Sequence, residues 1–350
     1  MVSELVSFIK KNNFLIFLIF YTPVLVLAET SIEDYRKYDV TKTKFTLKKS
    51  AKDLSYPWAL SFIDKTNVVI TEKDGGLYKV DVLSGKKQKI KHNIPHIGYD
   101  GGGQGGLLDV YFNPSDDYIY FTYSHKSSKL TRSKQLSKKS STAIARGRLI
   151  ENEIKDFEIL LIAKPEFLEN RHYGSRIAIK GDDLFVSFGE RGQGMISQDP
   201  SKHPGSIIRI KTDGAIPQDN PHFIEKKDWL PEIYVIGVRN PQGIAISPHD
   251  DELYFSSHGP RGGDHIGEVE FGSNYGWKDI AWGGREYYGL GIGDSPFKDK
   301  YKRPLISWVP SMGISSIQFY EGKAFPGWQG DLLVASLNGE SLIRLDVENN

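Results

Sequence analysis

The sequence contains no cysteine. That absence excludes disulfides, thiolate catalysis, thiolate metal centres and a lipid anchored through cysteine. A surplus of one charge is also missing. Against 45 Lys and Arg stand 44 Asp and Glu, a formal net charge of +1 over 350 residues, so no polyanionic partner and no nucleic acid is expected. The densest basic run, SKLTRSKQLSKKSSTAIARGR at 128–148, reads as a solvated loop. No long helical pattern occurs. No apolar run reaches the ~20 residues of a membrane span. The longest, FLIFLIFYTPVLVLA at 14–28, is 15 residues and is interrupted by Pro23. Lys10 and Lys11 precede it and Val26-Leu27-Ala28 ends it, the form of an export signal cleaved before Glu29. The expected organisation is a signal peptide at 1–28 and one β domain at 29–350. The mature protein is expected to be periplasmic or secreted, without stable membrane insertion.

Glycine (35 residues) and aromatics (12%) are plentiful and suggest a turn-rich β protein. Past residue 50 one pattern recurs: an alternating apolar strand, a turn, and a second strand that ends in Thr, Ser or Ala before a polar loop. Its five instances are WALSFIDKTNVVITEKDG (58–75), LLDVYFNPSDDYIYFTYS (107–124), SRIAIKGDDLFVSFGERG (175–192), QGIAISPHDDELYFSSHG (242–259) and SSIQFYEGKAFPGWQGDLLVASLNG (315–339). Further strands follow several of them: GLYKVDV and QKIKH, RGRLIEN and FEILLIA, SIIRIKTDG and EIYVIG, and SLIRLDV. Period-two alternation between turn residues predicts antiparallel sheets. Units of up to four strands at intervals of roughly 50 to 75 residues are the pattern of propeller blades. A sandwich or solenoid is the alternative, but the intervals are too long and irregular for a solenoid.

In a blade, strand one leads away from a face of the ring and strand two returns to it. Loops before the first strand and after the second therefore share one rim. GGGQGGLLDVYF (101–112), NRHYGSRIAI (170–179) and GVRNPQGIAI (237–246) carry Gln104, His172, Arg239 and Asn240 just before first strands. GERG (189–192) and HGPRGG (258–263) follow second strands. His172 on such a rim is a candidate general base, and an ordinary structural or surface histidine is the competing reading. Arg239 has the fixed charge and planar fork suited to an anionic ligand. Asn240 and Gln104 supply amide donors and acceptors, or alternatively brace a turn and cap a loop.

Taken with YPWALSF, HGPRGGD with GSNYGW, and GKAFPGW-x-GDLLVASL, these segments resemble the soluble glucose/sorbosone dehydrogenase family, sugar dehydrogenases that use pyrroloquinoline quinone (PQQ). The likeness runs from about 54 to 346 and is nearest to the bacterial aldose sugar dehydrogenases. It implies a six-bladed β-propeller and an exported oxidoreductase. It further implies that hydride passes from C1 of an aldose to PQQ while the C1 hydroxyl loses its proton, giving a lactone, and that an external acceptor removes the electrons. It implies His172 as general base, Gln104, Arg239 and Asn240 as cofactor contacts, and Ca²⁺ held partly by the backbone carbonyls of Gly259 and Pro260.

Two departures qualify the resemblance. Ser257 stands where relatives have an acidic residue, and His265-Ile266-Gly267 replaces Glu-Leu-Asn or Glu-Ile-Asn, so a second calcium site is expected to be weak or missing. The inner strands of a sixth blade do not appear before Asn350, so the domain is expected to lack most of its last blade, with TKFTLKK (43–49) as a candidate outer strand. A truncated or degenerate binding propeller without catalysis is therefore the alternative function. A hydrolase is the weaker third, because no G-x-S-x-G elbow is present.

Overall fold

Alternating apolar residues between turns fold this chain into short antiparallel strands, paired in the order in which they occur. The computed structural model describes residues 48–127, 138–339 and 341–347. All strands of the described residues lie in the unit Ser50–Asn350. The first sheet is β1 (Pro57–Phe62), β2 (Asn67–Glu72), β3 (Leu77–Asp81) and β4 (Lys87–Lys89). The second is β5 (Leu107–Asn113), β6 (Tyr118–Lys126), β7 (Ser140–Ile150) and β8 (Glu153–Ile162). The third is β9 (Ile177–Lys180), β10 (Asp183–Phe188), β11 (Ser206–Lys211) and β12 (Ile233–Ile236). The fourth is β13 (Pro241–Ile246), β14 (Leu253–Ser257), β15 (Asp264–Glu268) and β16 (Ile306–Trp308). The fifth has three strands, β17 (Ile314–Phe319), β18 (Leu332–Ser336) and β19 (Ser341–Leu345). The one α-helix among the described residues, α1, is four residues long (Pro221–Ile224). The architecture is a β-propeller of five blades.

Each blade packs its apolar face on the next. Val69 and Leu77 of the first meet Leu107 and Phe121 of the second. Tyr120 and Ile144 meet Val186 and Ile208. Phe185 and Val235 meet Ile244 and Phe255, and Ala245 and Ile266 meet Ile317 and Val334. Each such side chain contributes about 1.5–3 kcal/mol when fully buried. Hydroxyls fix the stagger between blades. Thr71 donates to the Leu108 carbonyl, Thr122 to Ser175, Ser187 to Pro241, and Ser256 to Ser315, at 2.5–2.9 Å. The Thr or Ser that recurs in the second strand is thus a latch onto the first strand of the following blade. The fifth blade has Ala335 at that place. Near the axis, Arg176 joins three blades: it bonds Asp109 at 2.8 Å and the Gln242 carbonyl at 3.0 Å, and its guanidinium lies 4.6 Å from the Trp58 ring.

All five repeats read from the sequence correspond to first and second strands of a blade. Two readings need correction. The basic run at 128–148 is not a solvated loop throughout, because β7 begins at Ser140 and its first six residues are buried. Lysine-rich sequence leads directly into a blade interior there. The outer strands β15 and β16 were not anticipated either, since DHIGE and ISW are short and lack apolar alternation. The signal segment 1–28 lies outside the described residues. Of the candidate strand 43–49 only Lys48 and Lys49 are described, and they are not in a strand.

Candidate active site

One cavity of about 1620 Å³ opens along the axis, and Gln104, His172, Arg239, Asn240 and Pro260 all line it. The loops before β5, β9 and β13 do converge on one rim. His172 sits there at φ 52°, a left-handed conformation that is costly for a residue with a Cβ. Its surroundings hold it there. The Gln104 Oε1 accepts from its backbone N–H at 2.6 Å, and its carbonyl accepts from the Arg191 N–H at 3.3 Å. Asn240 Oδ1 accepts from Gly174 N–H at 3.0 Å. Gln104 and Asn240 therefore brace the histidine loop through their side-chain oxygens while also lining the cavity. Arg191, fully inside, donates to the Arg171 and Ser140 carbonyls and lies 3.7 Å from the Tyr173 ring, tying down the same loop.

The residue that sequence reasoning missed is Glu190. GERG was placed on the rim, but no role was given to its carboxylate. Glu190 is buried, hydrogen-bonded through Oε1 to His172 Nδ1 and through Oε2 to the Gly194 N–H. Burial pushes its pKa up, but the bond to His172 and the imidazole's charge outweigh this and hold the carboxyl below its ordinary value. Burial pushes His172 down. Glu190 pushes it back, and nearby Arg239 adds to the lowering, with the net below the usual 6.5. The two directions agree on one state: an ionised carboxylate accepting from Nδ1–H of a neutral imidazole. That fixes the tautomer and leaves the lone pair on Nε2. The signal was present in the sequence as a carboxylate in the loop that follows the second strand of the histidine's own blade.

Arg239 is buried, with its guanidinium 5.3 Å from the Trp277 ring and 5.8 Å from the exposed Tyr287 ring. Its Nη1 donates to the Gly259 carbonyl at 3.1 Å and, longer, to that of His258 at 3.4 Å. Its Nε is buried without a partner. His258, also on the cavity wall, pairs through Nε2 with Gln242 Oε1 at 2.9 Å; burial, with Arg239 and His172 nearby, holds it well below the ordinary histidine value.

The carbonyls expected to hold calcium are beside this arginine, and the Gly259 oxygen is the one Arg239 occupies. Asp264, bonded to the same loop through the Gly259 N–H, is spent on protein donors. Its Oδ1 accepts from the Gly259 N–H (2.8 Å) and Ser311 hydroxyl (2.7 Å), and its Oδ2 from the N–H groups of Met312 (3.1 Å) and Ile314 (2.9 Å). Among the described residues no group of three His, Asp or Glu side chains is placed to hold a metal. A calcium ion at the Gly259 and Pro260 carbonyls would have to share the Gly259 oxygen with Arg239 or displace it. Asp264 is instead a buried clasp between the fourth and fifth blades. Asp264→Ala is expected to lower unfolding free energy by about 3 kcal/mol or more, because several buried donors lose their acceptor. Urea denaturation measures this, and a loss under about 1 kcal/mol would contradict the clasp.

A propeller with a histidine–carboxylate pair and a buried arginine in an axial cavity can serve many chemistries; the relatives give the class, an oxidoreductase of the dehydrogenase type. The chain belongs to the glucose/sorbosone dehydrogenase family, whose family model matches residues 54–350. It is 32% identical over 306 residues to the aldose sugar dehydrogenase YliI of Escherichia coli, covering 85% of this chain and 79% of that protein. It is 28% identical over 261 residues to quinoprotein glucose dehydrogenase B of Acinetobacter calcoaceticus, covering 68% of this chain and 53% of that one. A crystal structure of a glucose dehydrogenase superposes with a TM-score of 0.79 at 30% identity, covering 87% of each chain.

Proposed function

We propose that this protein is an exported quinoprotein that oxidises the C1 hydroxyl group of aldose sugars to lactones, with PQQ as cofactor and an external electron acceptor. The observation that carries the reading is His172, backed by the buried Glu190, in the same cavity as Arg239. The residues present fit the cofactor. PQQ is an acidic, planar quinone, and Lys73, Arg176, Arg239 and Arg261 line the cavity together with the aromatic faces of Trp58 and Tyr287. Of the cavity's carboxylates, Asp109 is already paired with Arg176. The relative named as a quinoprotein supports the same choice. When bound, the quinone supplies the hydride acceptor.

The chain's own part follows from the geometry. His172 Nε2 takes the proton of the sugar hydroxyl, and Glu190 holds Nδ1–H and stabilises the imidazolium so formed. Arg239 sets a fixed positive charge in a water-poor wall, where it acts on developing negative charge more strongly than in solution. Tyr287, 65% exposed on the loop 282–293, offers a face to the sugar or cofactor. Calcium, where bound, would be held in part by the Gly259 and Pro260 carbonyls, the first of them shared with Arg239, and no step is routed through it. Calcium added without quinone is accordingly expected to leave the melting temperature unchanged; a clear rise would mean the carbonyl gives up its arginine.

The export signal at 1–28 belongs to the same proposal, with a periplasmic or secreted location. Among the described residues no helix is long and apolar enough to cross a membrane. The five described blades are read as part of a six-blade plan. Leu60 and Phe62 of the first sheet and Leu342 of the fifth support this, since they are 57%, 55% and 62% exposed on apolar strands.

The test is reconstitution of the full chain with PQQ and dye-linked oxidation of aldoses. Turnover is the expected result, and a folded sample with none would leave the binding propeller as the better reading. The pH profile gives a second check. The working base is neutral, so kcat/KM is full above its pKa and falls as pH drops through it. Burial places that acid limb below the usual histidine value. Glu190→Gln removes the influence that holds the pKa up, so the limb moves to still lower pH, while turnover drops about tenfold or more from lost orientation. A limb that stays in place would separate Glu190 from the base.

A further inference from the structure

Behind Arg239, on the far side of the Gly259-Pro260 loop, a second and much smaller cavity leaves about 10 Å³ for the centre of a water molecule. Its wall includes Arg239, His265, Trp277 and Trp282. In each, one nitrogen is buried without a partner: Arg239 Nε, His265 Nε2, Trp277 Nε1 and Trp282 Nε1. Arg239, His265 and Trp277 are 6%, 5% and 8% exposed, so bulk solvent does not satisfy them. Four orphaned nitrogens around one small space need a common explanation, since buried polar groups are almost always paired.

The protonation of the wall selects the occupant. His265 Nδ1 lies 2.9 Å from the Gly263 carbonyl, which only accepts, so Nδ1 carries the hydrogen. Burial holds the ring neutral. Nε2 therefore carries a lone pair, while the orphaned nitrogens of the arginine and both indoles carry N–H groups, all four on residues of the cavity wall. The ring cannot rotate away, because it stacks on Tyr275 at 18° and meets Phe255 edge-on. A small anion suits the three N–H donors but is repelled by the Nε2 lone pair. A cation suits the lone pair but is repelled by the guanidinium and both indole N–H groups. Water both donates and accepts, and the space matches the roughly 10–15 Å³ of this measure that one water needs.

We propose that this cavity is a binding site for one fixed water molecule, which donates to His265 Nε2 and accepts from Arg239 Nε–H and one indole N–H, and that His265 is thereby a positioning residue for Arg239. Neither tryptophan nor His265 reaches the main cavity wall, so the small cavity adjoins the proposed active site across Arg239, His258 and Pro260. It sets the guanidinium from behind: Nη1 is held by Gly259, and Nε is held through the water by His265. The His-Ile-Gly segment that departs from the acidic pattern of relatives thus has a task that needs a neutral acceptor.

The test is a crystal structure of the full chain at a resolution that orders solvent, from crystals grown with and without bromide. The expected result is a peak without anomalous signal, about 3 Å from His265 Nε2, from Arg239 Nε and from one indole nitrogen. An empty cavity, or a bromide peak in it, overturns the water. The positioning role rests on the quinone reading and is tested with two variants. His265→Leu removes the acceptor, and PQQ binding, followed by absorbance titration, is expected to weaken about tenfold. His265→Gln keeps an acceptor near the same point and is expected to bind like the parent. Equal weakening in both variants, or none in either, overturns the positioning role. If the parent binds no PQQ while the water peak is present, the cofactor reading fails and the water site stands.

Discussion

Turnover of aldoses is expected to fall by about 10²–10⁴-fold in His172→Asn, with folding and quinone uptake retained. The choice of asparagine follows from the geometry. Its amide N–H can stand where Nδ1–H stood, so the buried Glu190 keeps a donor, but nothing basic remains at Nε2. Alanine would confound the result by leaving that carboxylate unpaired, at a cost of its own. The loop should survive the change, because its bonds to Gln104 and Arg191 use the backbone of residue 172 and not its ring. Parental turnover in His172→Asn would remove the histidine from the chemistry altogether. Loss of quinone binding along with turnover would instead make it a cofactor contact. The enzyme and binding-propeller readings therefore separate on one substitution, read by two measurements.

How much of this was legible in the sequence depended on what carried the information. Inner strand pairs were legible because they are half-buried on a twisting sheet and must alternate. The recurring Thr or Ser was visible as a repeat, although its latch onto the next blade was not, since the partner is a carbonyl that carries no residue identity. The same limit applies to Gly259 and Pro260, whose expected role lies in backbone oxygens; only the coordinates show one of these bonded to Arg239. The rim placed His172 and Glu190 on one face, but the distance between loops 18 residues apart depends on backbone conformation at His172 and Arg191, both at positive φ. The outer strands of the fourth blade were illegible because they bury little alternating surface. Gln104 and Asn240 were recognised as amides near the site. Which atom faces which neighbour then decided that their oxygens support the loop.

Gly189→Ala is expected to cost turnover about 10²-fold although the residue touches neither sugar nor cofactor. A Cβ at this position would lie 2.2 Å from the His172 carbonyl oxygen, 2.5 Å from its carbon and 2.7 Å from Asn240 Oδ1. None of these is the free end of a flexible side chain. The carbonyl belongs to a backbone already held at positive φ, and Asn240 is occupied with Gly174. The methyl group can be accommodated only if the His172 loop retreats by about 1 Å, a displacement that misaligns a base by enough to cost on the order of 10²-fold. The backbone of residue 189 itself is not in the left-handed region, so alanine is not excluded there, and blade packing beneath it is untouched. The melting temperature should therefore fall far less than the rate. The mechanism of the loss can be isolated by combining the substitution with His172→Asn. If Gly189→Ala acts only by moving the base, the double variant is no slower than His172→Asn alone, because a base that has been removed cannot be misplaced. Additive losses would mean that the methyl group disturbs Arg239 or the cavity wall as well, and parental turnover in the single variant would mean that the loop yields at no cost to the chemistry.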